Sequence, residues 1–130
     1  MTMRFELTTK ILFGTGRISR LGEEAKKLGK KALIVTHPEM RGIGLLDRVL
    51  GNLKENGVDA VAFERVEPNP RSSTVDEGAE VARGEKVDLI IGLGGGSAMD
   101  TAKGIALASG GTEPIWSYVG VRNEPSDAVP

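Results

Sequence analysis

Ile90-Ile91-Gly92-Leu93-Gly94-Gly95-Gly96-Ser97-Ala98-Met99-Asp100-Thr101-Ala102-Lys103 is the stretch that decides how this chain folds. A short apolar run passes through glycines into a segment with helical character, Ser97 to Ala108. The run opens at Val87, and Val87 to Ile91 predicts a strand buried on both faces. Outward from it, the same alternation repeats. Ala32-Leu33-Ile34-Val35 predicts a second buried strand, and Val58 to Phe63 a third. Ile18, Leu21, Ala25 and Leu28 fall on one helix face within Arg17 to Leu28, with Gly29 as its stop. Leu45, Leu46, Val49, Leu50 and Leu53 trace another helix, closed at Gly57. Val75, Ala79 and Ala82 line a third, capped by Ser73 or Thr74 with Asp76 or Glu77 three residues on. Phe5 to Phe13 reads as one or two short strands running into the Gly14-Thr15-Gly16 turn. Strands alternating with helices predict an α/β fold, a Rossmann-like parallel sheet with helices on both faces and right-handed crossovers.

The glycine loop lies where such sheets bind ligands, at the carboxyl edge of the strands. Three glycines in a row remove the side chains that would keep a phosphate off the backbone, and they tolerate positive φ. A helix starting near Ser97 aims its first N–H groups at the same point. Bound negative charge there gains roughly 0.3–1 kcal/mol from the helix dipole, and ~2 kcal/mol if partly buried. Two other uses of these residues stay open. Ser97 and Asp100 stand in S-x-x-D spacing, a capping box worth ~1 kcal/mol. Glycine at a tight strand-to-helix turn also serves architecture alone. Lys103, nearly a turn further on, either reaches a phosphate or is simply solvated. Neither the G-x-G-x-x-G pattern nor the Walker lysine spacing is present. Residue types and spacing therefore lead to a phosphate-bearing ligand on an α/β domain.

Composition excludes several classes. The 130 residues suit one domain, with 39% hydrophobic and 27% charged residues in the ordinary soluble range. Seventeen basic and 18 acidic residues give a net charge of −1, no footprint for nucleic acid or an anionic membrane. With no cysteine, disulfides and thiolate metal sites are ruled out. Apolar runs are too short for a membrane span, and Met1 to Lys10 does not resemble a signal peptide. A soluble cytoplasmic protein is expected. Periodicity fades beyond Gly110-Gly111, so residues 1–111 are read as the binding domain and 112–130 as a tail leading elsewhere. Trp116 and Tyr118 form either a nucleotide platform or the packing of that tail onto the sheet or another domain.

Gly94-Gly95-Gly96-Ser97-x-x-Asp100-x-Ala102-Lys103 resembles the GGGS-x-x-D-x-AK signature of the iron-containing (group III) alcohol dehydrogenases. Phe13-Gly14-x-Gly16 is similar to that family's early turn, Leu33-Ile34-Val35-Thr36 to its next strand, and Glu67-Pro68-Asn69-Pro70 to its "pNP" loop. The resemblance covers essentially the whole chain. It implies a dehydroquinate synthase-like N-terminal domain that binds NAD or NADP. Hydride would pass between an alcohol and NAD(P)+, with Fe2+ or another divalent ion, held by one Asp and three His of a helical second domain, polarising the substrate oxygen. By the same resemblance Gly94, Gly95, Gly96, Ser97 and Asp100 would contact the diphosphate and nearby groups. Asn69 would lie along the nicotinamide half, and His37 would face the adenosine ribose.

Two departures matter. Where NAD-preferring members often carry Asp, this chain has His37, whose imidazole does not repel a 2′-phosphate, so NADP is an expected partner. His37 is also the only histidine, so the three-His metal set is not in this sequence. The chain is therefore expected to be the nucleotide-binding part of an enzyme, inactive by itself, with no catalytic residue of its own. The alternatives are a stand-alone nucleotide-binding module and a relative of glycerol dehydrogenase or dehydroquinate synthase. A homo-oligomer is expected, most simply a dimer paired through an N-terminal edge at residues 4–8.

Overall fold

The computed structural model describes residues 9–120 and 128–130. The expected dimer edge at residues 4–8 lies outside them. Residues 9–13, anticipated as part of a strand, carry no strand.

Three strands, β1 (Lys31–Thr36), β2 (Asp59–Phe63) and β3 (Leu89–Leu93), form a parallel sheet in the order β2-β1-β3. The central strand is buried because it sorts its side chains to two faces. Leu33 and Val35 join one apolar cluster and Ala32 and Ile34 the other, all of them fully buried. Burying each of the three larger aliphatics contributes about 1.5–3 kcal/mol.

Helices cover both faces. On one, α1 (Leu21–Ala25) and α3 (Leu45–Glu55) contribute Ala25, Leu46, Val49 and Leu53; on the other, α4 (Ser72–Gly84) and α5 (Gly96–Ser109) contribute Val75, Ala79, Ala102 and Ile105. A one-turn helix, α2 (Glu39–Gly42), bridges β1 to α3. No described helix is long and apolar enough to cross a membrane.

α3 ends as its sequence requires. Gly57 takes φ +78°, its N–H donates to Lys54 O, and the Val58 N–H donates to Leu53 O. This is a Schellman closure, with Val58 and Leu53 packed in the same cluster.

Elsewhere the boundaries move. Arg17 to Leu28 is not one helix: Arg17–Arg20 is a 3-10 turn and only Leu21–Ala25 is α-helical. β3 spans Leu89–Leu93, two residues later than its apolar run, because pairing with β1 runs from Ala32↔Leu89 to Thr36↔Leu93. α4 starts at Ser72 with Arg71 as its N-cap and no side-chain cap. The expected cap Thr74 lies inside the helix and donates its hydroxyl to Glu67 Oε1 at 3.2 Å.

The tail is tied to the domain. The Ile115 N–H donates to Asp76 Oδ1 at 2.7 Å, and Arg83 Nη1 donates to Ala108 O and Gly111 O. Ile115, rather than Trp116, packs against the core, and Trp116 remains 67% exposed. At the far end, the Ile90 N–H on the outer edge of β3 donates to Pro130 O at 2.7 Å.

Candidate functional site

β1 and β3 are neighbours, yet β1 leads into α3 on one face of the sheet and β3 leads into α5 on the other. Such a reversal opens a crevice beyond the strand ends, the place where open α/β sheets take ligands. The two strand ends are locked together immediately before it. Thr36, fully buried, donates its hydroxyl to Leu93 O at 2.7 Å. The next residues, His37 and Gly94, begin the two lips of the crevice.

Gly94 adopts φ +145°, a region open essentially to glycine alone. A Cβ there would stand 3.1 Å from Ala98 Cβ and 3.3 Å from His37 Cδ2, so the lips approach too closely to leave room for a side chain. Gly95 differs: its φ −85° and ψ −161° suit any residue. Neither Gly95 nor Gly96 would meet any atom within 4 Å of an added Cβ. Positive φ is thus needed at one glycine of the three, and the other two leave an open floor.

The S-x-x-D spacing does not make a capping box. α5 begins at Gly96 with Gly95 as its N-cap and no side-chain cap. The first helical bond runs from the Met99 N–H to Gly95 O at 3.1 Å. Ser97 is the second helical residue and Asp100 the fifth, too far along to reach the cap. The N–H groups of Gly96, Ser97 and Ala98 precede that first bond and have no helical carbonyl to receive them. Ser97 O instead accepts the hydroxyl of buried Thr101 at 2.7 Å. Asp100 is exposed and pairs with Lys103 at 3.6 Å, a solvated contact worth at most about 1 kcal/mol. Lys103 accordingly sits beside Asp100 and not over the loop.

Asn69, at φ +55°, turns the loop ahead of α4. Its neighbour Pro70 lines a groove of about 250 Å³ together with Arg71, Val75, Asp100, Ile115 and Trp116. Asp100 thereby connects α5 to the Asn69 loop, while His37 stands apart, against Gly94. A larger hollow of about 530 Å³ is lined by Lys10, Leu12, Ile18, Leu21, Glu24 and Leu28 and touches none of these residues. The marked electrostatic shifts also lie off the crevice. Lys10 and Lys27 hold the Glu24 carboxyl down to about 2, and Arg41 lowers Glu64. The backbone N–H groups of Lys31 and Lys30 lower Asp88.

Sequence reasoning missed three contributors. Thr36 was signalled only as a polar residue closing an apolar run. Gly92 lies inside β3, where a Cβ would come within 3.1 Å of Ala102 Cβ and 3.2 Å of Ala98 O, so α5 packs unusually close to the strand. The groove beside Trp116 had no local signature.

Residues 8–130 match the family profile described as iron-containing alcohol dehydrogenase. The chain belongs to the iron-containing alcohol dehydrogenase family. It is 46% identical over 112 residues to the 1,3-propanediol dehydrogenase of Citrobacter freundii, covering 84% of this chain and 29% of that protein. It is 42% identical over 120 residues to NADH-dependent butanol dehydrogenase A of Clostridium acetobutylicum, covering 92% and 31%. Among solved structures, NADH-dependent butanol dehydrogenase A from Thermotoga maritima superposes with a TM-score of 0.91 at 36% identity, covering 99% of this chain and 33% of that one. Sulfoacetaldehyde reductase from Bifidobacterium kashiwanohense in complex with NAD+ gives 0.87 at 27% identity, covering 100% and 35%. The chain thus spans about three-tenths to a third of the length of these relatives.

Of the two groups that the resemblance implies, a dinucleotide and a metal ion, the described residues fit the first and not the second. The open glycine floor below an uncapped helix fits a diphosphate. A metal ion finds no group of three His, Cys, Asp or Glu among the described residues.

Proposed function

We propose that this chain is the dinucleotide-holding part of an alcohol dehydrogenase. The observation that carries the reading is the floor at Gly95 and Gly96, open above an uncapped α5 at the sheet's reversal point. The N–H groups of Gly95, Gly96 and Ser97 hold the diphosphate, and Gly94 gives it room. His37 faces the adenosine ribose, Asn69 lies along the nicotinamide half, and Asp100 lies beside the diphosphate. The bound dinucleotide supplies the hydride acceptor or donor for an alcohol–carbonyl pair. This chain's share is to bind and orient it. Residues 1–111 do the binding, and 112–130 lead on toward a metal-binding helical domain. The whole protein works in the cytoplasm as a dimer.

Relatives named as NADH-dependent and a neighbour in complex with NAD+ support the nicotinamide assignment. NADP is accepted as well, because His37 brings no carboxylate against a 2′-phosphate and stands at the lip opposite Gly94. Calorimetric titration with NADH and NADPH tests this reading. Binding of both within tenfold of each other is the expected result. No binding of either removes the assignment, and NADH binding more than tenfold tighter removes NADP alone.

A further inference from the structure

The end of α3 runs into Asn56-Gly57, the one Asn-Gly step in the chain. Asparagine is a thermolabile residue, and a following glycine has no side chain to shield its nitrogen. In the step this permits, the Gly57 nitrogen bonds to Asn56 Cγ and gives up its proton, while the side-chain nitrogen leaves as ammonia. Water then opens the cyclic imide at either carbonyl, leaving aspartate or isoaspartate. The net change is one water taken up and one ammonia released, with no other reagent. We infer that Asn56-Gly57 is a latent deamidation site, closed while the end of α3 is folded and permanent in its effect once that end has opened.

The fold closes the site from both sides of the reacting bond. Asn56 has φ −96° and ψ 7°, which turn the Gly57 N–H back along the helix, where it donates to Lys54 O at 3.0 Å. Ring closure needs that peptide to rotate until its nitrogen lies over the side chain, and the rotation breaks the bond. The side chain is held as well. Asn56 Nδ2 donates to Asn52 O at 2.9 Å, one turn back. Its amide lies against buried Gly22 of α1, so closely that a methyl on Gly22 would collide with it. Asn52 completes the joint, accepting the Gly22 N–H at 2.7 Å and donating to Ser19 O at 3.0 Å. Deamidation therefore waits on local opening of the Gly57-Val58 closure. The product cannot rebuild what opened. A carboxylate has no N–H to donate and sets its charge against Asn52 O. Isoaspartate also routes the main chain through the side-chain carbon, which takes the Gly57 and Val58 N–H groups out of register with Lys54 O and Leu53 O.

The folded chain and the chain unfolded in guanidinium chloride are incubated together at mildly alkaline pH and compared by peptide mass spectrometry, with isoaspartate separated by its elution. Conversion at Asn56 is expected to be at least about tenfold faster in the unfolded chain, since the folded chain reacts only through its open fraction. A smaller ratio, or no conversion in the unfolded chain, overturns the inference. N56D stands for the aspartate product and should unfold at a lower denaturant concentration than the parent. A midpoint equal to or above the parent's would show that the joint is rebuilt after deamidation, and would overturn the permanence of the effect.

Discussion

Replacing Gly94 with alanine separates the two jobs of the glycine loop. At φ +145° an alanine is held in a region it scarcely populates, at a cost of order 1–3 kcal/mol. Its methyl also meets Ala98 Cβ at 3.1 Å and His37 Cδ2 at 3.3 Å. The imidazole can turn aside, but Ala98 is fully buried in the first turn of α5 and cannot. Strain therefore dominates, and G94A is expected to lose about 1–3 kcal/mol. For a domain of this size that lowers the thermal midpoint by roughly 4–12 °C, at ~4 °C per kcal/mol. G95A is the matched control. Its backbone angles are ordinary and no atom beyond its chain neighbours lies within 4 Å of the new methyl, so the loss is limited to alanine's poorer fit at the N-cap of α5, about 0.5–1 kcal/mol. That methyl nevertheless stands on the proposed diphosphate floor, so G95A should fold and fail to bind. Urea and thermal unfolding of both variants by circular dichroism provide the assay. If G94A is as stable as the parent, the loop geometry described above is wrong.

Two other variants probe what holds the crevice. Asp88 accepts N–H bonds from Lys30 at 2.9 Å and Lys31 at 2.8 Å, pinning the starts of β1 and β3. These bonds lower its folded pKa below the unfolded value, so its contribution is present above the unfolded pKa and fades as pH falls through the folded one. D88N should lose about 1 kcal/mol at neutral pH and show a shallower decline of urea midpoint on acidification, with nucleotide binding at the opposite edge unaltered. A parent-like acid profile for D88N would count against this role. T36V keeps the shape of a buried side chain but leaves Leu93 O without its 2.7 Å donor. A loss of about 1–2 kcal/mol in denaturant unfolding is expected, and an unchanged midpoint would mean that the strand ends need no such tie.

What the sequence made legible follows from local chemistry. β1 declares itself because every residue from Ala32 to Val35 is apolar and both faces are covered. The end of α3 is readable because Gly57 is required at a left-handed position. The glycine loop is readable as a site because it joins a buried strand to a helix. The misreadings occur where tertiary pairing overrides local pattern. β3 extends through Gly92 to Leu93 because β1 offers partners there, although an isolated glycine reads as a stop. α5 starts at Gly96 because the backbone turns helical without a side-chain cap, so Ser97 and Asp100 lose the capping role their spacing suggests. Arg71 takes the N-cap of α4, and Thr74 bonds to Glu67 across the loop, a tertiary partner that local spacing does not reveal. The Trp116 groove assembles from residues as far apart as Pro70 and Val119, which no local window can join.

The diphosphate hold at the head of α5 is tested most directly by following the backbone amide resonances of the chain as NAD+ is added. The amides of Gly95, Gly96, Ser97 and Ala98 should move first and furthest, with His37 next and the amides of Lys30, Lys31 and Asp88 unmoved. Shifts centred on Leu12, Ile18, Leu21 and Leu28, with the α5 amides still, would contradict the account.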